Sequence, residues 1–241
     1  MSQSIIITGA SSGIGRATAE VFMAEGWTVG LLARRAGLLD EIAAGRPNAF
    51  PLPCDVTDEA QVDAAFEAFT ARVGRIDVLF NNAGMFGPPA PIDEVSLADW
   101  QTVLNLNLTG MFLSARAAFR QMRAQKGGRI INNGSISAHV PREHSLCYTT
   151  TKHAITGLTR SLNLDGRALN IACGQIDIGN AMTEMVAETN DRLVAEGKAP
   201  NPVMGVRNAA ETVLHMAKLP PEANVLFVTV MANKMPFVGR G

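Results

Sequence analysis

"IIITGASSGIG", residues 5–15, decides how the chain folds. Three isoleucines run into Thr8 and Gly9, which reads as a short strand closed by a glycine. The stretch from Ile14 to Glu25 then reads as a helix. Each glycine of the loop has a use. Gly9 allows the tight turn off the strand, Gly13 lets the backbone approach a pyrophosphate, and Gly15 lets the helix sit against the sheet. The free N–H groups and positive dipole end of that helix suit phosphate, with Ser11, Ser12 and Ile14 completing the loop. Three glycines alone are a weak signal. Their place, after a first strand and opening a first helix, is the context that gives them meaning.

Outward from this loop, strand and helix alternate. "WTVGLLA" (27–33) is apolar on both faces, as a buried parallel strand requires. "AFPLPCDV" (49–56) reads as a third strand whose two prolines suit an edge. Residues 58–73 carry Val62, Ala65, Phe66, Phe69 and Val73 on a helical stripe. "RIDVLFNNAG" (75–84) is a strand running into a loop, and one long helix covers about 97–125, ended by Gly127 and Gly128. "RIINN" (129–133), a helix through Tyr148 and Lys152 to about Leu164, and "ALNIACGQIDI" (168–178), a strand with its exit loop, follow. A helix near 206–217 and a strand "NVLFVTVM" (224–231) complete the pattern. Such alternation implies right-handed crossovers and a parallel sheet covered by helices on both faces. The expectation is a single α/β domain over 1–241, a doubly wound seven-stranded parallel sheet.

Composition agrees. Of 241 residues, 47% are hydrophobic and 18% charged, enough for a large core and too apolar for disorder. Net charge is −1, which argues against a nucleic-acid partner, since a phosphate backbone calls for a basic face. Cys54, Cys147 and Cys173 are odd in number and far apart, so neither a disulfide framework nor a zinc cluster is expected. The apolar run after Met1 is too short for a signal segment or membrane span, and nothing elsewhere reaches membrane length without a charge. A cytoplasmic protein with no membrane partner is expected.

The end of the second strand should meet an adenosine ribose. A carboxylate there favours NAD, whereas an arginine accommodates the 2′-phosphate of NADP. Ala33 stands where the acid would be, followed by Arg34 and Arg35, while Asp40 and Glu41 lie further on in the next helix. NADP(H) is therefore favoured over NAD(H). Tyr148 is the one tyrosine of the chain, and Lys152 follows it at i+4, on the same helical face. An ammonium beside a phenol favours phenolate, making Tyr148 a general acid/base. Thr149, Thr150 and Thr151 oppose a helix, but Ile155, Leu158 and Leu162 restore the stripe.

"TGASSGIG" (8–15), "NNAG" (81–84), "NLTG" (107–110), Ser135 and "YTTTK" (148–152) occur in one order. Together, over essentially the whole chain, they resemble the short-chain dehydrogenase/reductase family in its short single-domain, Rossmann-type form. The resemblance implies that Ser135 hydrogen-bonds a substrate oxygen, Tyr148 exchanges the proton, and Lys152 binds the nicotinamide ribose and holds down the tyrosine pKa. It also implies that Asn107 anchors a water leading from Lys152, that Asn82, Ala83 and Gly84 flank the cofactor, and that Asp55, with Val56 beside it, touches the adenine. Ser137 and Asn105 are the runners-up to Ser135 and Asn107.

Three departures stand out. Gly134 precedes Ser135 where the family often has a second serine. Cys173 replaces the proline of a Pro-Gly after strand six, and Ile178 falls where a threonine would bond the carboxamide, leaving that anchor to backbone or Asn180. The pocket is expected between Met85, Phe86, Val140, Leu146, Met182 and Met185, with His139, Arg142, His144 and Gln175 as polar candidates and a substrate lid at about 180–205. The implied activity is reversible reduction of a ketone or aldehyde to an alcohol, on a small-molecule substrate. The alternative is a non-catalytic NAD(P)-binding sensor or assembly protein. The family likeness also implies a homodimer or homotetramer joined through the helices at 97–125 and 148–164, and the tail "KMPFVGRG" is apolar enough to cross to a neighbour.

Overall fold

The structure is a computed structural model describing residues 2–238. β1 (Ser4–Thr8) is buried along its whole length, with Ile5 and Ile7 entering one core and Ile6 the other. A strand covered on both faces needs apolar residues at every position, which the isoleucine run supplies. α1 (Gly13–Ala24), β2 (Thr28–Ala33), α2 (Ala36–Ala43), β3 (Ala49–Pro53), α3 (Glu59–Val73) and β4 (Val78–Asn81) follow. The chain continues through α4 (Leu97–Leu104), α5 (Gly110–Ala124), β5 (Gly128–Asn133) and α6 (Leu146–Gly166). It ends with β6 (Ile171–Ile178), α7 (Glu184–Ala195), α8 (Val206–Lys218) and β7 (Phe227–Val230).

The seven strands are all parallel, in the order β3-β2-β1-β4-β5-β6-β7. β3 lies at an edge, where Pro51 and Pro53 leave no second neighbour short of a donor. Phe22, Leu39 and Val213 from α1, α2 and α8 fill the core on one face; Phe66, Phe69, Leu113 and Met122 from α3 and α5 fill the other. The strand order reverses between β1 and β4, and ligands of open α/β sheets bind at the carboxyl ends beside such a reversal.

Three details differ from the sequence reading. The helix expected at 97–125 is interrupted by a wider π turn at Asn105–Thr109, which separates α4 from α5. The sixth strand starts at Ile171, after a short turn at Arg167–Leu169 and a left-handed Asn170. Cys173 and Gly174 pair with Ile130 and Ile131 inside the sheet, so they are not its exit turn. The chain leaves β6 at Gly179, and the first threonine beyond it, Thr183, caps α7. In the tail, Met235 accepts the Asn180 N–H and Phe237 stacks edge-on against His139, so this part folds onto its own chain. Residues 239–241 of the tail lie outside the described residues.

Candidate active site

A cleft of about 350 Å³ opens at the carboxyl ends of β1 and β4 and runs from the glycine loop to Tyr148. Gly9 and Gly13 turn through left-handed backbone, at φ +69° and +53°, a region costly for any residue with a Cβ. A Cβ on Gly15 would sit 2.2 Å from the Gly9 carbonyl oxygen, so the helix can approach the loop this closely only at a glycine. Arg35, two residues past β2 and directly before α2, donates one nitrogen, Nη2, to Ser11 Oγ at 2.9 Å and Ser12 Oγ at 3.1 Å. This holds its guanidinium over the loop, with Arg34 exposed beside it. Asp55 and Val56 line the next stretch of the cleft, and Asp55 accepts the Thr57 N–H and hydroxyl. Left-handed glycines, a helix N-terminus and a tethered arginine together fit a phosphorylated dinucleotide.

The "NNAG" loop is fastened to β1. Thr8 Oγ1 accepts the N–H groups of Asn82 and Ala83 at 2.8 and 3.0 Å, and Asn133 Nδ2 donates to Asn82 Oδ1 at 2.8 Å. Asn107 projects from the π turn, a helix distortion that recurs at functional sites. Its amide accepts from the Met85 N–H and donates to the Met85 carbonyl, both at 2.8 Å, and donates to Thr151 Oγ1 at 3.2 Å. Asn107 is buried and Asn105 exposed. The Asn107 side chain therefore holds the loop carrying Met85 and does not itself reach Lys152.

α6 runs through the three threonines because Thr151 Oγ1 bonds back to the Tyr148 carbonyl at 2.8 Å while Asn107 braces it from the other side. Tyr148 and Lys152 share a helix face as their spacing requires, with Lys152 Nζ 5.3 Å from the phenol ring centroid. The Lys152 ammonium donates to the Asn133 carbonyl at 2.7 Å. Phe86 meets the Tyr148 ring edge-on at 5.0 Å. Ser135, just beyond β5, faces Tyr148, and its Oγ accepts the Ser137 N–H at 3.1 Å.

The electrostatics differ from the sequence expectation in sign. Burial pushes the Tyr148 phenol above its ordinary value, against the opposing pull of the Ser135 hydroxyl and the Arg142 charge. Lys152 is itself lowered to about 8 by burial, with Asp177 pulling it back up. Low dielectric penalises the charged form of each partner, and this outweighs the attraction that sequence spacing alone suggested. The phenol thus stands protonated at neutral pH, as a proton donor must.

Ser135, Tyr148, Lys152, Gly9, Ser11, Ser12, Gly13, Ile14, Arg34, Arg35, Asp55, Val56, Asn82, Ala83, Gly84 and Ile178 all line this cleft, with Gly15 and Asn107 directly behind it. Ile178 ends β6 there, while Thr183, 3.1 Å from where a Gly13 Cβ would be, brings a hydroxyl-bearing residue to the wall. Of the four polar pocket candidates only Arg142 reaches the cleft; Gln175 is fully buried and His139 turns to Asp177. Met85, Phe86 and Met185 supply apolar wall. Sequence reasoning passed over Thr8, Asn133, Thr183 and Asp177. Asp177 alone carried a signal, a carboxylate inside an apolar strand.

Comparison with known proteins identifies the family. The family model for short chain dehydrogenases matches residues 3–193. The chain is 33% identical to serine 3-dehydrogenase of Agrobacterium fabrum over 99% of its own length and 97% of the relative's. It is 34% identical to levodione reductase of Leifsonia aquatica over 88% of this chain and 79% of that one. A solved closed form of serine dehydrogenase complexed with NADP+ superimposes with a TM-score of 0.91 at 25% identity, covering 99% and 98% of the two chains. The glycine loop, the sheet order and these likenesses agree, and the chain belongs to the short-chain dehydrogenase family.

Proposed function

We propose that the protein interconverts a carbonyl compound and its alcohol with NADP(H), and that Ser135, Tyr148 and Lys152 manage the proton. One observation carries the reading: a single cleft has the glycine loop and Arg35 at one end and these three side chains at the other. NADPH held by the glycine loop and Arg35 would supply the hydride for the carbonyl carbon. Ser135 donates a hydrogen bond to the carbonyl oxygen, and the Tyr148 phenol transfers its proton to that oxygen as negative charge develops on it. The Lys152 ammonium beside the ring favours the phenolate that remains. Alcohol oxidation reverses each step, with phenolate taking the proton. The test is NADPH consumption with a panel of ketones and aldehydes. A protein that binds NADPH and turns over none of them is a nucleotide sensor instead.

Arg35 supports the NADP(H) preference: its tether to Ser11 and Ser12 holds a guanidinium at the glycine loop, and an arginine there accommodates a 2′-phosphate. A hydrogen bond to a charged group contributes about 1.5–3 kcal/mol. Arg35→Ala is therefore expected to raise KM for NADPH by about tenfold or more and to change KM for NADH less than about twofold. Equal effects on the two cofactors, in parallel steady-state titrations, would refute the assignment.

Arg142 directs the choice of substrate. Its guanidinium lies 5.6 Å from the Phe86 ring centroid and acts on Tyr148, and among the described residues no carboxylate pairs with it. A cation in front of the proton donor favours carbonyl substrates bearing a carboxylate or sulfonate. Serine, named for two of the similar proteins, carries such a group. Arg142→Ala should raise KM about tenfold for anionic members of the panel and leave neutral ketones as they were. A uniform change across the panel contradicts this role.

A further inference from the structure

The α6 side of the sheet is polar directly beneath Ser135. Period-two alternation puts Gln175 and Asp177 on the same face of β6 as Ile171 and Cys173, toward the core of α3 and α5, and both are fully buried. Asp177 Oδ1 accepts the Ser135 N–H at 3.0 Å and Gln175 Nε2 at 2.7 Å; its Oδ2 lies 2.7 Å from His139 Nε2. Gln175 is braced in turn by the hydroxyls of Thr159 at 3.0 Å and Thr156 at 3.2 Å. A carboxylate taken out of water persists only where donors surround it, and here three do.

The same carboxylate accounts for Gly134. A Cβ at that position would lie 2.0 Å from Asp177 Oδ1 and 2.7 Å from Gln175 Nε2, so the side chain missing before Ser135 has given its space to Asp177. Gly134 and Asp177 are therefore one packing solution. Asn133, the next residue back, lends its carbonyl to the Lys152 ammonium, so Asp177 and Lys152 grip neighbouring points of one backbone segment.

We propose that Asp177 is a positioning residue of the reaction: its carboxylate holds the main chain at Ser135 from behind and sets a fixed negative charge against the Lys152–Tyr148 pair. The proposal rests on the Ser135–Tyr148–Lys152 reading above. Facing Lys152 are the Asn133 carbonyl from β5, Asp177 from β6 and the Tyr148 ring of its own helix. Facing Tyr148 are Phe86, Ser135, Arg142 and Asp177, and His139 stands on the outer side of Asp177. Asp177 raises the pKa of both Lys152 and Tyr148, so removing its charge moves both the same way.

Asp177→Asn keeps an acceptor for the Ser135 N–H and deletes the charge. Carbonyl reduction by this variant should lose about tenfold or more in kcat with KM for NADPH within about twofold, and the alkaline limb of its pH–kcat profile should move to lower pH. Asp177→Ala, which loses the acceptor as well, should be slower still, so that Asn rescues part of the Ala defect. His139→Lys tests the charge from a half-exposed position without touching Asp177: a permanent cation against the carboxylate should also move the alkaline limb to lower pH. This variant decides the matter if the Asp177 variants do not fold, judged by a cooperative melt and NADPH binding. Profiles that superimpose on the wild type after scaling would overturn the proposal. Turnover retained by Tyr148→Phe would instead overturn the reading beneath it.

Discussion

Tyr148→Phe is expected to lower kcat for carbonyl reduction by about 10²–10⁴-fold, the range over which a positioned general acid acts. That corresponds to roughly 2.7–5.5 kcal/mol of transition-state stabilisation. The loss should fall on chemistry alone. Phenylalanine keeps the edge contact with Phe86 and the ring beside Lys152, so NADPH affinity and the melting temperature should change little. Single-turnover measurement with saturating NADPH separates the two effects. A variant within a few-fold of wild type would remove the proton-relay reading. The pH dependence has a definite sign. Lys152 is lowered from 10.5 to about 8, so its positive charge is present below that pH and is lost above it. Tyr148 must also keep its proton to donate it. Reduction should therefore be steady on the neutral side and decline above about pH 8 in the wild type.

Phe80→Ala should cost the largest share of stability of any single truncation near the site. Phe80 is 0% exposed and sits on β4 in register with Ile7 of β1 and Ile131 of β5, at the middle of the sheet. Removing a buried phenylalanine costs about 3–5 kcal/mol, against a usual total of about 5–15 kcal/mol. For a chain of this length the melting temperature should drop by about 6–20 °C, read by calorimetry at fixed protein concentration. A drop of less than about 2 °C would mean that the neighbouring isoleucines close the cavity. The effect reaches function because β4 delivers Asn81 straight into the loop of Asn82, Ala83 and Gly84. Loosening that strand should raise KM for NADPH before it touches kcat.

Particular residues show how far the sequence could be read. Isoleucines without polar alternation announce a strand covered on both sides, and two prolines announce an edge; both arise from local chemistry, and β1 and β3 follow them. The i, i+4 pairing of Tyr148 with Lys152 needs only helical geometry. The exit from β6 was misplaced for a reason that is also local: Cys173-Gly174 resembles a turn in composition, yet backbone pairing to Ile130 and Ile131 carries the strand four residues further, to Ile178. The long helix at 97–125 shows no break in its apolar stripe, since the π turn comes from how Asn107 meets Met85 and Thr151.

Local sequence set the succession of strands and helices, the glycine loop after β1, and the placing of Tyr148 and Lys152 on one helix face, because each depends on neighbours within a few residues. Tertiary structure alone decided the electrical state of those side chains. Tyr148 is held protonated and Lys152 is weakened as a cation because residues distant in the chain, among them Phe86 and Asn133, close around them, while Asp177 works against the loss at Lys152. Burial is a property of the assembled fold, and in a low dielectric it outweighs the attraction between two groups that sequence spacing had placed side by side.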